Sequence, residues 1–298
     1  MGTPHYAKEI LQSLINDEKT EIPLVVTQPD RKAGRKGELK SPDVKLLAQE
    51  HDLEFIQPQK LSDDGVYEMI VEAKPDYIIV AAFGQMLPKK ILNIAPCINL
   101  HASLLPQYRG ASPVQQSLLN SDEFTGVTAM LMDEGMDSGA ILGYRYFKIP
   151  PTMLLSELMG RLSDDACDLT TKIVHNFENI SPIEQVRAEA TYCKKIKKSD
   201  GLVDFSLASK LYDKYRAFYG WPGIFVEGGT KISDIALIDN EINEKEGIIL
   251  SINETTLTLS CLVGKIEIGT IQPPSKKAVD AKVYCVSRGL KVGDSLFR

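Results

Sequence analysis

No run of about eighteen apolar residues occurs in this 298-residue chain, and no basic stretch followed by an apolar one opens it. Neither a membrane-spanning helix nor a signal peptide is expected, and the reading is a cytoplasmic protein. Cysteine is scarce and unpatterned. The five (Cys97, Cys167, Cys193, Cys261, Cys285) are far apart and show no C-x-x-C spacing, which predicts buried reduced thiols and no redox or metal pair. Histidine occurs only four times, and no metal-ligand cluster is visible, so no metal is expected. Internal repeats and low-complexity tracts are also missing. An excess of positive charge is lacking too: 34 Lys and Arg against 40 Asp and Glu leave a net charge of -6, which by itself argues against a polyanionic partner.

What is present is an ordinary globular balance, 43% hydrophobic and 25% charged, in a chain about twice the commonest domain size. Two domains are expected. From Tyr6 to Phe147 helical periods alternate with short apolar runs, the signature of an α/β fold with a mainly parallel, Rossmann-like sheet covered by helices. Ile22 to Thr27, Leu53 to Ile56, Tyr77 to Ala82 and Cys97 to His101 read as its strands. Ser41-Pro42-Asp43 reads as a cap, with proline at the first position of a helix running through His51. Gly126 to Met132 and Ile141 to Phe147 read as an antiparallel pair around the acidic turn. Leu155, Met159, Leu162, Ala166, Leu169, Ile173 and Phe177 recur at spacings of three and four, one face of a long amphipathic helix. Beyond Ser181-Pro182 a basic linker is expected, then a helix over Leu207 to Phe218 and several short β-rich runs. Such runs suggest a small OB-like β-barrel. The boundaries follow as 1–178 for a catalytic domain, 179–198 for the linker and 199–298 for the C-terminal domain.

Within Cys97-Ile98-Asn99-Leu100-His101 the polar residues are two apart at the end of an apolar strand, so both side chains leave the same face. In parallel α/β sheets ligands bind at the carboxyl ends of strands. Asn99 and His101 there can both donate hydrogen bonds to an oxyanion, although a histidine at a strand end can equally be a satisfied structural residue. Ser103-Leu104-Leu105-Pro106 and Tyr108-Arg109-Gly110-Ala111 form the loop that follows. In Met132-Asp133-Glu134-Gly135-Met136-Asp137-Ser138-Gly139 two glycines bracket an acidic turn, whose acids taken alone can be merely solvated. Two basic clusters, Arg31, Lys32, Arg35, Lys36 and Lys40, then Lys194, Lys195, Lys197 and Lys198, read by default as solvated surface.

Taken together, Asn99-x-His101, Ser103 to Pro106 and Asp137 in its glycine-bounded loop resemble the folate-dependent formyltransferases. Thr27 to Arg31 with Ala33-Gly34-Arg35, Gln57-Pro58, Ala111-x-Pro113-x-Gln115 and Trp221-Pro222-Gly223 are similar to the branch of that family that acts on methionyl-tRNA. The resemblance covers nearly the whole chain. It implies 10-formyltetrahydrofolate as donor and the α-amine of methionine on initiator tRNA as acceptor. Asn99 and His101 would stabilise the oxyanion, and Asp137 would orient the imidazole. The pterin would lie among Ala82, Phe83, Gly84, Ser103, Leu104, Leu105, Pro106, Asp133 and Gly135. The two basic clusters would grip tRNA, with Arg35 matching the family's key loop arginine, and the protein would act as a monomer.

Two departures stand against the family pattern. Its sheet opens with an apolar strand directly before Gly-Thr-Pro, whereas here Met1-Gly2-Thr3-Pro4 comes first. The expectation is either a start further upstream or a domain with two open strand edges and an unfilled core. Tyr219-Gly220 before Trp221 is the second departure. A formyltransferase for an amino-sugar nucleotide and a non-catalytic RNA-binding relative remain alternative readings.

Overall fold

In the computed structural model residues 1–33 and 37–297 are described, so Arg35 and Lys36 of the first basic cluster lie outside the described residues. The chain forms two units. One comprises Met1–Pro113, Glu123–Ile149 and Glu157–Lys194; the other comprises Val114–Asp122, Pro150–Ser156 and Lys195 onward.

In the first unit, α1 (His5–Ile15) buries Tyr6, Ala7, Ile10 and Leu14 as one stripe. After β1 (Val25–Val26) comes a polar antiparallel hairpin, β2 (Arg31–Ala33) with β3 (Glu38–Lys40). Helix α2 (Asp43–Glu50) begins after Pro42 without a side-chain cap. The expected cap, Ser41, instead donates its hydroxyl to Asp30 at 3.2 Å. Next are β4 (Phe55–Ile56), α3 (Val66–Glu72), β5 (Ile78–Val80), α4 (Lys89–Leu92) and β6 (Cys97–His101). Strand β1 pairs in parallel with β4, and β5 in parallel with β6. After β7 (Arg109–Gly110) and α5 (Pro113–Leu119), which from Val114 on belongs to the second unit, the long strands β8 (Phe124–Leu131) and β9 (Ile141–Lys148) extend the first unit's sheet antiparallel in the order β5-β6-β8-β9. The expected amphipathic helix is α6 (Leu155–Asn176), which buries Leu158, Leu162, Ala166, Leu169 and Ile173. Strand β10 (Tyr192–Cys193) pairs in parallel with β7.

Between β1 and β5 there is room for a further strand, and only Met1 and Gly2 occupy it. Gly2 donates its amide to Val26 O at 3.0 Å, Ala81 donates to Met1 O at 3.0 Å, and the Met1 amine donates to Ile79 O at 2.6 Å. Gly2 has no room for a side chain, since a Cβ would sit 2.4 Å from that of Ala7. Before this two-residue bridge lies a cleft of about 570 Å³ lined by Met1, Ile10, Leu14, Leu24, Val26 and Ile79 among others.

In the second unit, α7 (Ala208–Ala217) packs on an antiparallel sheet of β11 (Ile224–Phe225), β12 (Lys231–Ile242), β13 (Ile249–Ile252), β14 (Leu257–Ser260) and β15 (Val263–Gln272). The order is β11-β12-β15-β14-β13. A short β16 (Val279–Asp280) lies beside β15, followed by α8 (Ala281–Ser287). Alternation on β14 and β15 buries Leu257, Leu259, Ile266 and Ile268 in the core, with Ile232 and Ile235 of β12 buried as well. The β-rich C-terminal unit is therefore present as an antiparallel sheet. Among the described residues no pairing joins β13 to β11, so these strands do not close into a barrel. All five cysteines are unpaired, four of them buried and Cys167 half-buried.

Candidate active site

Strand β6 lies between β5 and β8 and every one of its residues is buried, so polar side chains on either face need partners. Asn99 and His101 point to one face as their spacing requires, at only 8% and 7% exposure. Asp137 meets them there. Asn99 Nδ2 donates to Asp137 Oδ1 at 3.4 Å, and His101 Nδ1 lies 3.7 Å from Asp137 Oδ2. The other ring nitrogen, Nε2, is 2.9 Å from the carbonyl of Tyr108. A carbonyl only accepts, so that contact is a hydrogen bond when the proton sits on Nε2. The Asn99 bond is long and uses one of two amide hydrogens, which leaves Asn99 able to donate to a further oxygen.

Asp137 is placed by its turn and by the loop after β6. It has φ of +50°, a left-handed conformation that non-glycine residues adopt at a cost of roughly 1 to 2 kcal/mol. Inside the turn, the Asp133 carboxylate accepts from the Gly135 amide and the Ser138 hydroxyl, both at 2.9 Å. From outside, the Gly110 amide donates to Asp137 Oδ2 at 2.8 Å. Gly110 can do so because it has φ of +118° and no Cβ, which would stand 2.3 Å from Cys193 O. Gln185, from the segment expected to be a surface linker, donates Nε2 to the carbonyls of Asp137 at 3.0 Å and Gly139 at 2.8 Å. Sequence reasoning did not single out Gln185, because bonds to main-chain carbonyls place no demand on the residues that accept them.

Of the expected folate residues, Ala82, Phe83 and Gly84 follow β5, whose Val80 is the register partner of Asn99, so they stand at the same end of the sheet. Ala82 and Gly84 have φ of +44° and +84° and bend the chain there, while the Phe83 side chain is buried. Ser103 is buried and donates to Gln107 O at 2.7 Å, so its hydroxyl is internally used. Leu105 packs with Met130 and Ile141. Leu104 and Pro106 lie in the same loop, which Thr128 ties down by donating to Ser103 O and accepting from the Leu105 amide. Asp133 braces the acidic turn and Gly135 is one of its partners, so both act within the turn. Arg31, Lys32 and Lys40 are exposed on the β2–β3 hairpin, where Arg31 donates to Gln28 at 2.7 Å. Lys194, Lys195, Lys197 and Lys198 are exposed as well. Among the described residues, Arg31, Lys32, Lys40 and Lys194 make no bond to Asn99, His101 or Asp137. Among the described residues no three His, Cys, Asp or Glu side chains gather as a metal-binding group.

Residues 1–174 match the family described as formyl transferase, and residues 195–289 match the formyl transferase C-terminal domain. The chain belongs to the formyl transferase family. A methionyl-tRNA formyltransferase from a Sulfurovum species is 56% identical over 296 residues, covering 99% of this chain and 97% of that one. Another, from a Nitratiruptor species, is 50% identical over 299 residues, covering 100% and 98%. Among solved structures, an N-formyltransferase from Helicobacter canadensis bound to folinic acid and dTDP-3-aminofucose superposes with a TM-score of 0.67 at 18% identity, covering 90% of this chain and 96% of that one. HypX from Aquifex aeolicus in complex with tetrahydrofolic acid gives 0.59 at 17% identity, covering 82% and 44%. Both share the fold.

Proposed function

We propose that this chain transfers the formyl group of 10-formyltetrahydrofolate to the α-amine of methionine esterified to initiator tRNA, with Asn99, His101 and Asp137 as its catalytic residues. The observation that carries the reading is the meeting of those three side chains at one strand end, and the two methionyl-tRNA formyltransferases that match almost end to end supply the substrate class. The residues fit a formyl donor. A spare Asn99 N–H lies near the end of β6, and the bent segment Ala82 to Gly84 follows β5 at the same end of the sheet, where it offers main-chain groups to a flat heterocycle.

Folate supplies the formyl carbon on N10. The acceptor amine titrates near pH 8, so an appreciable fraction is neutral at physiological pH and attacks without a strong base. The group that needs stabilising is the oxygen that gains charge as nitrogen adds to the formyl carbon. Asn99 Nδ2 faces it with a free N–H, and one such donor lowers the barrier by roughly 3 to 4 kcal/mol. His101 joins by giving up its Tyr108 carbonyl for the oxyanion, an exchange that Asp137 beside Nδ1 guides by holding the ring. As the tetrahedral adduct collapses, the bond between the formyl carbon and N10 breaks, and the proton lost by the amine passes, with Asp137 beside both donors, to N10 of the departing tetrahydrofolate. Ser103 to Pro106, Asp133 and Gly135 keep the walls of this group in place, as their bonds support. Residues 1–178 carry the catalytic group, the following segment through Cys193 braces it through Gln185 and β10, and 199–298 form the tRNA-binding part. Arg31, Lys32, Arg35, Lys36, Lys40, Lys194, Lys195, Lys197 and Lys198 meet phosphates. One chain carries every residue named, so a cytoplasmic monomer suffices.

The deciding assay incubates the protein with 10-formyltetrahydrofolate and either methionyl-tRNA or an amino-sugar nucleotide. Formylated methionyl-tRNA is expected. A formylated sugar alone would replace the acceptor, and tRNA binding without transfer would leave the non-catalytic reading. Asn99→Ala should lower kcat about 100- to 1000-fold with folate still bound.

A further inference from the structure

Two neighbouring residues of β7 reach Asp137 by separate routes. Gly110 holds its carboxylate through the main-chain amide at 2.8 Å. Arg109 acts at one remove, donating Nε at 3.1 Å and Nη2 at 2.7 Å to the side-chain oxygen of Gln185. The Gln185 amide nitrogen then donates to the Asp137 and Gly139 carbonyls. Arg109 is 4% exposed and Gln185 7%, so these bonds form away from competing water. Gln185 is fully committed: its oxygen accepts two bonds, and its nitrogen donates to the two carbonyls and also lies 3.9 Å from Met130 Sδ.

The chain carrying Gln185 is itself fastened to the unit. Ile183 and Ile141 exchange a pair of main-chain bonds at 2.8 and 2.9 Å, and β10 lies alongside β7. Gln185 is thus a rigid bracket between β7 and the acidic turn. The turn needs one, because Asp137 stands in the left-handed region and its own internal bonds run through Asp133, at the other end. Without the bracket, the Asp137 to Gly139 main chain loses its donors and is free to relax toward ordinary φ, which swings the carboxylate away from His101.

We propose that Gln185 is a positioning residue for the transfer reaction, setting Asp137 against His101 and Asn99, with Arg109 as its anchor. The proposal rests on the catalytic reading of Asp137 given above. Misplacing a catalytic group by about an ångström costs up to roughly 100-fold in rate, which sets the scale.

Gln185→Glu separates this role from simple packing. Glutamate has the same shape and still accepts from Arg109, now as a charge-assisted pair, yet it cannot donate to the two carbonyls. A positioning role predicts that Gln185→Glu and Gln185→Ala both lower kcat roughly 10- to 100-fold with KM for methionyl-tRNA within about threefold. Placed in an Asp137→Asn background, either change should cost little more, because both act through one carboxylate. A Gln185→Glu enzyme with parental kcat would overturn the proposal, as would full additivity with Asp137→Asn. If Asn99→Ala and Asp137→Asn themselves leave kcat unchanged, the catalytic reading fails instead, and the two failures are told apart in the same set of variants.

Discussion

Asp137 combines two demands that few residues satisfy together. Its carboxylate accepts from the Gly110 amide and faces Asn99 and His101, while its backbone adopts φ of +50°. Asparagine tolerates the left-handed region about as well as aspartate and keeps the side chain's shape, so Asp137→Asn isolates the charge. Stability should change by less than about 1 kcal/mol in denaturant titrations, while kcat falls about 100-fold or more. Equal loss of both would mean that the carboxylate is a structural brace only. At this scale the sequence was informative where spacing dictates direction. Asn99 and His101 share a face because they are two apart on a strand, and Asp137 sits between glycines that allow its turn. Gln185 was hidden, since a glutamine in an irregular segment has no periodicity to betray burial. Arg109, within a recognised loop, gave no hint that its charge turns inward onto an uncharged amide oxygen.

Among the elements, the parallel strands show how a sheet copes with a short member. The apolar runs at Ile22 to Thr27 and Tyr77 to Ala82 were legible, but only Val25–Val26 and Ile78–Val80 form ladders, because the space between them holds just two residues. The hairpin at Arg31–Lys40 escaped notice because nearly all its side chains are polar and none alternates. In the second unit the strands were visible as alternating runs, yet the order β11-β12-β15-β14-β13 depends on pairings that no local pattern encodes.

For the molecule as a whole, the net charge of -6 sets a problem for the proposed action on tRNA. The general field repels a polyanion, so binding must come from local concentrations of cations that neutralise phosphates. Two such concentrations exist on exposed chain, one around the β2–β3 hairpin with Arg31, Lys32 and Lys40, the other at Lys194 to Lys198. If each meets phosphates, kcat/KM for methionyl-tRNA should fall steeply with salt, the logarithmic slope losing roughly 0.7 to 0.9 for every contact removed. Replacing Lys194, Lys195, Lys197 and Lys198 by alanine should flatten the slope without changing kcat at saturating tRNA. Replacing Arg31, Lys32 and Lys40 should flatten it separately, and combining the sets should add the two effects, since the clusters share no partner. Arg35→Ala should lower formylation of methionyl-tRNA while leaving folate binding intact. Alanine variants that keep the parental slope would show these cations to be ordinary solvated surface, and recognition would then have to rest on uncharged contacts able to overcome the repulsion of an acidic protein.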